Sequence, residues 1–260
     1  MRLSVARLDL GNRRRLTMGY AVGMALYALA IVALYPTFKH SSELNKLASG
    51  KLGALFGVTG PLTSPAGWLD ANAFTNFLPL IMLLLTIGYG ASAIAGQDDD
   101  NTLGPIVVLP LSRRRILAEK IVALMAQALA LTLAVAACTY VGRAFELTLD
   151  PWNVATALLA VLVLGIDLGL IALTVGAATG SRGTAIGVTA TLAAASYLIS
   201  SLAPVVSWIH PLRFASLFYW AVGDNQLASG TTITAFAILT AVAAIATLTA
   251  TVAFQRLDVR

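Results

Sequence analysis

The chain has 260 residues, of which 58% are hydrophobic and 11% charged, with a formal net charge of +5. A soluble domain is about half apolar and about a quarter charged, so this chain has too little charge to cover a water-exposed surface of its size. That excludes disorder, which needs low hydrophobicity and high charge, and argues against a cytosolic enzyme; the single cysteine excludes a disulfide framework and a multi-cysteine metal site.

Residues 1–16 place Leu3, Val5, Leu8 and Leu10 among arginines, a pattern that predicts an amphipathic N-terminal helix lying in the membrane interface. An apolar run at 17–35 comes next. It is long enough to span a membrane, and without a persuasive cleavage site it reads as a retained anchor rather than a signal peptide. Residues 36–73 are broken by Pro36, Pro61, Pro65 and several glycines. Leu44, Leu47, Leu52, Leu55 and Phe56 predict short amphipathic helices on the far leaflet.

Further apolar runs at 74–96, 117–141, 153–178, 185–204 and 232–254 bring the number of expected spans to six. The expected fold is an all-α integral membrane protein forming a single domain over 1–260. Unbroken runs of this length favour helices over the alternating ten-residue strands of a barrel. Between spans two and three, residues 97–116 carry Asp98, Asp99 and Asp100, then an apolar patch at Ile106–Leu109, then Pro110 and Arg113, Arg114 and Arg115. Asp100 or Asn101 is a candidate cap for a short helix limited by Pro110, and Ser112 is a candidate cap for span three. Residues 205–231 hold Trp208, His210, Pro211, Phe214, Phe218, Tyr219 and Trp220, an aromatic density typical of a membrane–water interface. Pro204 and Pro211 predict a break with a short surface or re-entrant helix.

Six spans put both termini on one side. Twelve of the 17 Lys and Arg residues fall on that side, among them Arg13–Arg15, Arg113–Arg115 and Lys120. The positive-inside rule therefore places both termini in the cytoplasm. Topology and anionic headgroups account for the basic charge, so no nucleic-acid partner is expected.

These residues resemble a family: the membrane permease subunit of bacterial ABC exporters of the type-2 class, in the branch that includes drug and polyketide exporters. The strongest piece runs from Ala95-Gly96-Gln97-Asp98 to Lys120, with Thr102-Leu103 and Pro110-Leu111-Ser112-Arg113 in place. It departs from the family pattern at Asn101, where glycine is usual, and at Gln97, where an acid is. The stretches Thr63–Leu69 with Phe74 and Pro79, Pro211-Leu212-Arg213 with Ser216 and Phe218-Tyr219, and Phe254-Gln255-Arg256-Leu257-Asp258 match in the same order.

The resemblance implies two permease subunits, identical or homologous, enclosing a pathway in the bacterial cytoplasmic membrane. Each would dock a cytosolic ABC ATPase subunit through the loop after span two, the coupling helix. It implies partner-docking roles for Asp98, Asp99, Asp100, Thr102, Leu103, Val107, Pro110, Ser112, Arg113, Arg114 and Arg115. The chain carries no Gly-x-x-x-x-Gly-Lys-Ser/Thr loop. ATP and Mg are therefore expected on the partner ATPase, with no cofactor and no enzymatic activity in this chain.

Asp167 lies near the middle of span four, and an ionisable group there is costly unless it faces a cavity or a partner. It is a candidate wall of the substrate pathway or subunit interface. A proton-coupled secondary carrier working through Asp167 and a non-transporting anchor for a cytosolic ATPase remain alternatives. An intramembrane enzyme is disfavoured, since both histidines lie outside the spans. His40 and His210 lack a nearby second ligand for a metal, and Cys138 reads as a small buried residue. Gly19/Gly23, Gly165/Gly169, Gly176/Gly180 and Gly183/Gly187 are Gly-x-x-x-Gly pairs suited to close helix packing.

Overall fold

The structure, a computed structural model, describes residues 4–41, 61–99, 112–223 and 225–256. Six helical segments are long and apolar enough to cross a membrane, and among the described residues there is no strand.

The first helix, α1, runs unbroken over Ser4–Phe38, 35 residues. At about 1.5 Å per residue it is roughly 50 Å long, well beyond a hydrocarbon layer of about 30 Å. The described residues of the expected interfacial helix at 1–16 are helical and continue without a break into span one. The cause is a distant contact. Glu119 Oε2 accepts the backbone N–H groups of Val5 at 2.7 Å and Ala6 at 3.3 Å. These are donors that a helix start leaves without partners, so the carboxylate fixes α1 where it begins.

The second span also differs from expectation. It starts at Pro65 rather than 74 and runs to Asp99. Helix α2 (Pro65–Leu69) is opened by Ser64, whose hydroxyl accepts from Gly67 N–H at 3.1 Å, with Pro65 in the first turn, where its missing N–H costs nothing. A π turn over Asp70–Phe74 leads to α3 (Phe77–Ala91), and a second π turn over Ser92–Gly96 leads to one last helical turn, Gln97–Asp99. A π turn adds a residue and rotates the succeeding turns by roughly 100°. Beyond the second one, Asp98 faces inward and is buried.

The remaining spans lie within a few residues of their expected limits. Helix α4 (Arg113–Val141) is capped by Ser112, whose hydroxyl accepts from Arg115 N–H at 3.3 Å, as the sequence predicts. Helix α5 (Pro151–Thr179) starts on an Asp150 cap and stops at Gly180, which takes the left-handed conformation at φ 63°. Helix α6 (Arg182–Leu202) starts on Ser181. The aromatic segment forms a 3-10 turn at His210–Ala215 and two short helices, α7 (Leu217–Val222) and α8 (Gln226–Ser229), before α9 (Ile233–Arg256). The expected surface helices around Leu44–Phe56 lie outside the described residues. Beyond α4, Lys39 donates to Glu146 and holds that exposed carboxyl below its ordinary range.

Helix α5 is the axis of the bundle: α3, α4, α6 and α9 all pack on it. Its closest approach is to α3. A Cβ on Gly90 would collide with the backbone carbonyl of Gly169, one on Gly165 with Met82, and one on Gly169 with Leu124 at 2.8 Å. Gly165/Gly169 is therefore a packing pair. Gly19, Gly23, Gly183 and Gly187 instead have open space where a Cβ would stand. Gly90→Ala is expected to destabilise the fold by about 1–3 kcal/mol, because the obstacle is backbone and cannot rotate away. Gly11→Ala, with nothing within 4 Å, should be neutral or slightly stabilising. Thermal unfolding of the purified variants in detergent separates the two.

Candidate functional site: a buried polar clamp and a lateral groove

Both termini of the described chain lie at one end of the bundle. Arg113, at the start of α4, donates to the carbonyl oxygens of Phe254 at 3.1 Å and Gln255 at 3.4 Å near the end of α9, and its guanidinium sits 5.8 Å from the Phe254 ring centre. The start of α1 meets the same part of α4 through Glu119.

A buried ionic cluster occupies this end. Asp9 on α1 accepts from Tyr89 Oη at 2.7 Å, Gln97 Nε2 at 3.1 Å and Lys120 Nζ at 3.4 Å. Lys120 also donates to Gln97 Oε1 at 2.6 Å. Lys120 is fully buried, and Asp9 and Tyr89 nearly so. Burying an ion pair is costly unless geometry and further hydrogen bonds offset the desolvation; here three donors converge on one carboxylate. Arg13 lies 5.2 Å from the Tyr89 ring centre. Beside this cluster, Glu119 takes Arg115 Nε at 3.2 Å along with the two N–H groups of α1. The cluster joins α1, the second span and α4.

This clamp sits at the base of segment 100–111. Asp100, Thr102, Leu103, Val107 and Pro110 lie outside the described residues. On its leading flank, Asp98 is buried, and Asp99 is exposed and accepts from the Arg182 backbone N–H at 3.4 Å. On its trailing flank, Ser112 and Arg114 are exposed, while Arg113 and Arg115 are engaged within the chain. Both flanks are thus tied to helices, the leading one to α6 and the trailing one to α1 and α9.

Asp167 lies in the middle of α5, as expected for span four. It is fully buried inside the protomer, and neither carboxylate oxygen has a hydrogen-bond partner among the described residues. Among the described residues of the single chain, no opening to the surface lies beside it. Its host, α5, is the central helix, and most of its middle turns are buried, with Val163 and Ile171 only partly so. His40 and His210 come together with no metal-binding group among the described residues. Cys138 is buried and unpaired as a thiol.

Sequence reasoning missed Asp9, Tyr89 and Glu119. The available signals were an acid inside an arginine-rich helix start and the Glu119-Lys120 pair inside the opening turns of an apolar span, where ionisable residues imply partners.

On the flank of the bundle, α3 and α6 enclose an apolar groove of about 610 Å³, with Leu80, Leu84 and Ile87 on one wall and Ile186, Ala190 and Ala194 on the other. Tyr197 and Phe218 close its far end, remote from the termini, and also line a second pocket of about 310 Å³. Tyr197 Oη donates to Asn76 Oδ1 at 2.8 Å.

Six long apolar helices, an apolar lateral groove and charge gathered at the terminal end define a multi-pass helical membrane protein. The chain belongs to the ABC-2 family: the family model described as ABC-2 family transporter protein matches residues 3–259. It is thus a transmembrane subunit of an ABC transporter, a class of permease that works with an ATPase partner. No curated protein matches the chain.

Proposed function

We propose that this chain is the permease subunit of an ATP-driven exporter, working as a pair with a second copy or a homologous permease in a bacterial cytoplasmic membrane. ATP and Mg bind to a separate cytosolic ATPase subunit, which docks on residues 98–115. The observation that carries this reading is the clamp. Both flanks of segment 100–111 are tied to other helices, Asp99 to the start of α6 and Arg113 to the end of α9. A push on that segment is therefore delivered to the bundle rather than lost in a loop.

The basic terminal end faces the cytoplasm on this reading, in line with the positive-inside rule. The exposed side of α6 supports it as the face turned to the second permease. Gly183 and Gly187 lie open there, beside the groove, and small residues let helices approach closely in lipid. Two such faces would enclose a pathway walled by the α3–α6 grooves.

The test is co-expression with candidate ATPase subunits, purification in detergent, and assay of ATP hydrolysis. A stoichiometric ATPase that co-purifies, and is lost when residues 98–115 are altered, is the expected result. A stable permease with no ATPase bound, under conditions where control complexes survive, overturns the reading.

A further inference from the structure

We propose that the far pocket is an anion site, and that pocket and groove together hold one anionic amphiphile, its acidic head on Arg213 and its apolar tail between α3 and α6. The binding site stands on the geometry; that its occupant is the exported molecule rests on the permease reading above.

Arg213 is the centre of the site. Its Nε is buried and has no hydrogen-bond partner among the described residues. Its guanidinium instead lies 4.8 Å from the Phe214 ring centre and 5.2 Å from that of Tyr219. The half-buried Arg213 side chain lines the pocket, and a guanidinium is matched by the paired oxygens of a phosphate or carboxylate. The pocket also offers Ser200, Ser201 and His210, and among the described residues that line it there is no Asp or Glu. Asp70 reaches it only through Thr75, whose hydroxyl donates to Asp70 Oδ1 at 3.0 Å.

Continuity supplies the rest. Tyr197 and Phe218 line both spaces, so the two adjoin at this ring pair, and an amphiphile seated across it puts its head in one and its tail in the other. A tail leaving lipid for this groove gains little, since lipid is as apolar as leucine. The head therefore sets selectivity, and the shared chemistry is an anionic phosphate or carboxylate.

The test uses the full chain, delipidated in detergent without any ATPase, with bound ligand followed by native mass spectrometry for lipids and by calorimetry for inorganic phosphate. Phosphatidylglycerol is expected to bind about tenfold or more tighter than phosphatidylcholine, the scale of one charge-assisted hydrogen bond. Arg213→Gln should abolish that preference and Arg213→Lys should keep most of it. Ala190→Trp, on an exposed position of the groove wall, should weaken phosphatidylglycerol binding while leaving inorganic phosphate unaffected. Equal affinity for the two lipids, or a preference that survives Arg213→Gln, overturns the proposal. So does inorganic phosphate binding as tightly as phosphatidylglycerol, which would mean an ion site with an idle groove. Selective lipid binding by a chain that captures no ATPase would leave the site standing and remove only the permease reading.

Discussion

Lys120→Met is expected to cost the fold about 3–5 kcal/mol, the scale for removing one partner of a buried ion pair. The Lys120 ammonium is fully buried between Asp9 Oδ2 and Gln97 Oε1. Without it, Asp9 keeps hydrogen bonds from Tyr89 and Gln97 and the charge of Arg13 nearby, but loses its hydrogen-bonded counter-charge, and a buried carboxylate short of a bonded partner charge is the expensive state. Removing both charges should be far milder. The double variant Asp9→Asn/Lys120→Met is expected to recover most of the loss, because the cost lies in the orphaned charge rather than in the net worth of the pair. Arg115→Met gives the contrast. Its bond to Glu119 is made from a side chain 33% exposed, so its loss should cost about 1 kcal/mol or less. Unfolding in detergent of the parent, Lys120→Met, Asp9→Asn and the double variant completes the double-mutant cycle. A Lys120→Met protein as stable as the parent would mean that the clamp is not formed.

Local chemistry was legible in the sequence where it was spelled out locally. Apolar runs located all six spans, and a serine before the arginine run marked the start of α4, because hydropathy and capping act over a few residues. The entry to span two was obscured by Pro61, Pro65 and Gly67, which read as breakers, although Ser64-Pro65 is itself a helix start. The continuity of α1 was hidden for a different reason. Arginines near its start suit an interface, and nothing within those residues reveals that Glu119, more than a hundred positions away, will accept its first N–H groups. Asp9 and Lys120 are likewise 111 residues apart, and no periodicity pairs them. Asp167 shows the limit from the other side. A lone acid in an apolar run signals an unusual environment but not its direction, which depends on the helices from distant parts of the chain that pack on α5.

Replacing both Leu103 and Val107 by aspartate is expected to uncouple ATP hydrolysis from transport while leaving the permease folded. The two positions are four apart, a spacing that puts them on one face of a helix, within the stretch whose apolar residues include Ile106 and Leu109. On the docking reading, such a face is the buried centre of the contact with the ATPase, and the charges of Asp99 and Arg114 at its flanks set register and encounter rate. Central apolar anchors typically carry about 2 kcal/mol or more each, so losing one alone corresponds to roughly 30-fold in affinity. An introduced carboxylate adds a desolvation penalty that a rim substitution does not. The fold is expected to survive because the bonds that hold the flanks, Asp99 to Arg182 and Arg113 to the end of α9, involve neither residue. Vesicles reconstituted with permease and ATPase, assayed in parallel for ATP turnover and for movement of a labelled amphiphile, provide the measurement. Transport per ATP should collapse, with unfolding temperature unchanged. Arg114→Ala in the same assay should slow assembly and make it less sensitive to salt, with coupling retained once the complex has formed. Full coupling in the double aspartate variant would move the docking contact elsewhere on the terminal end and leave the anchored flanks without the role assigned to them.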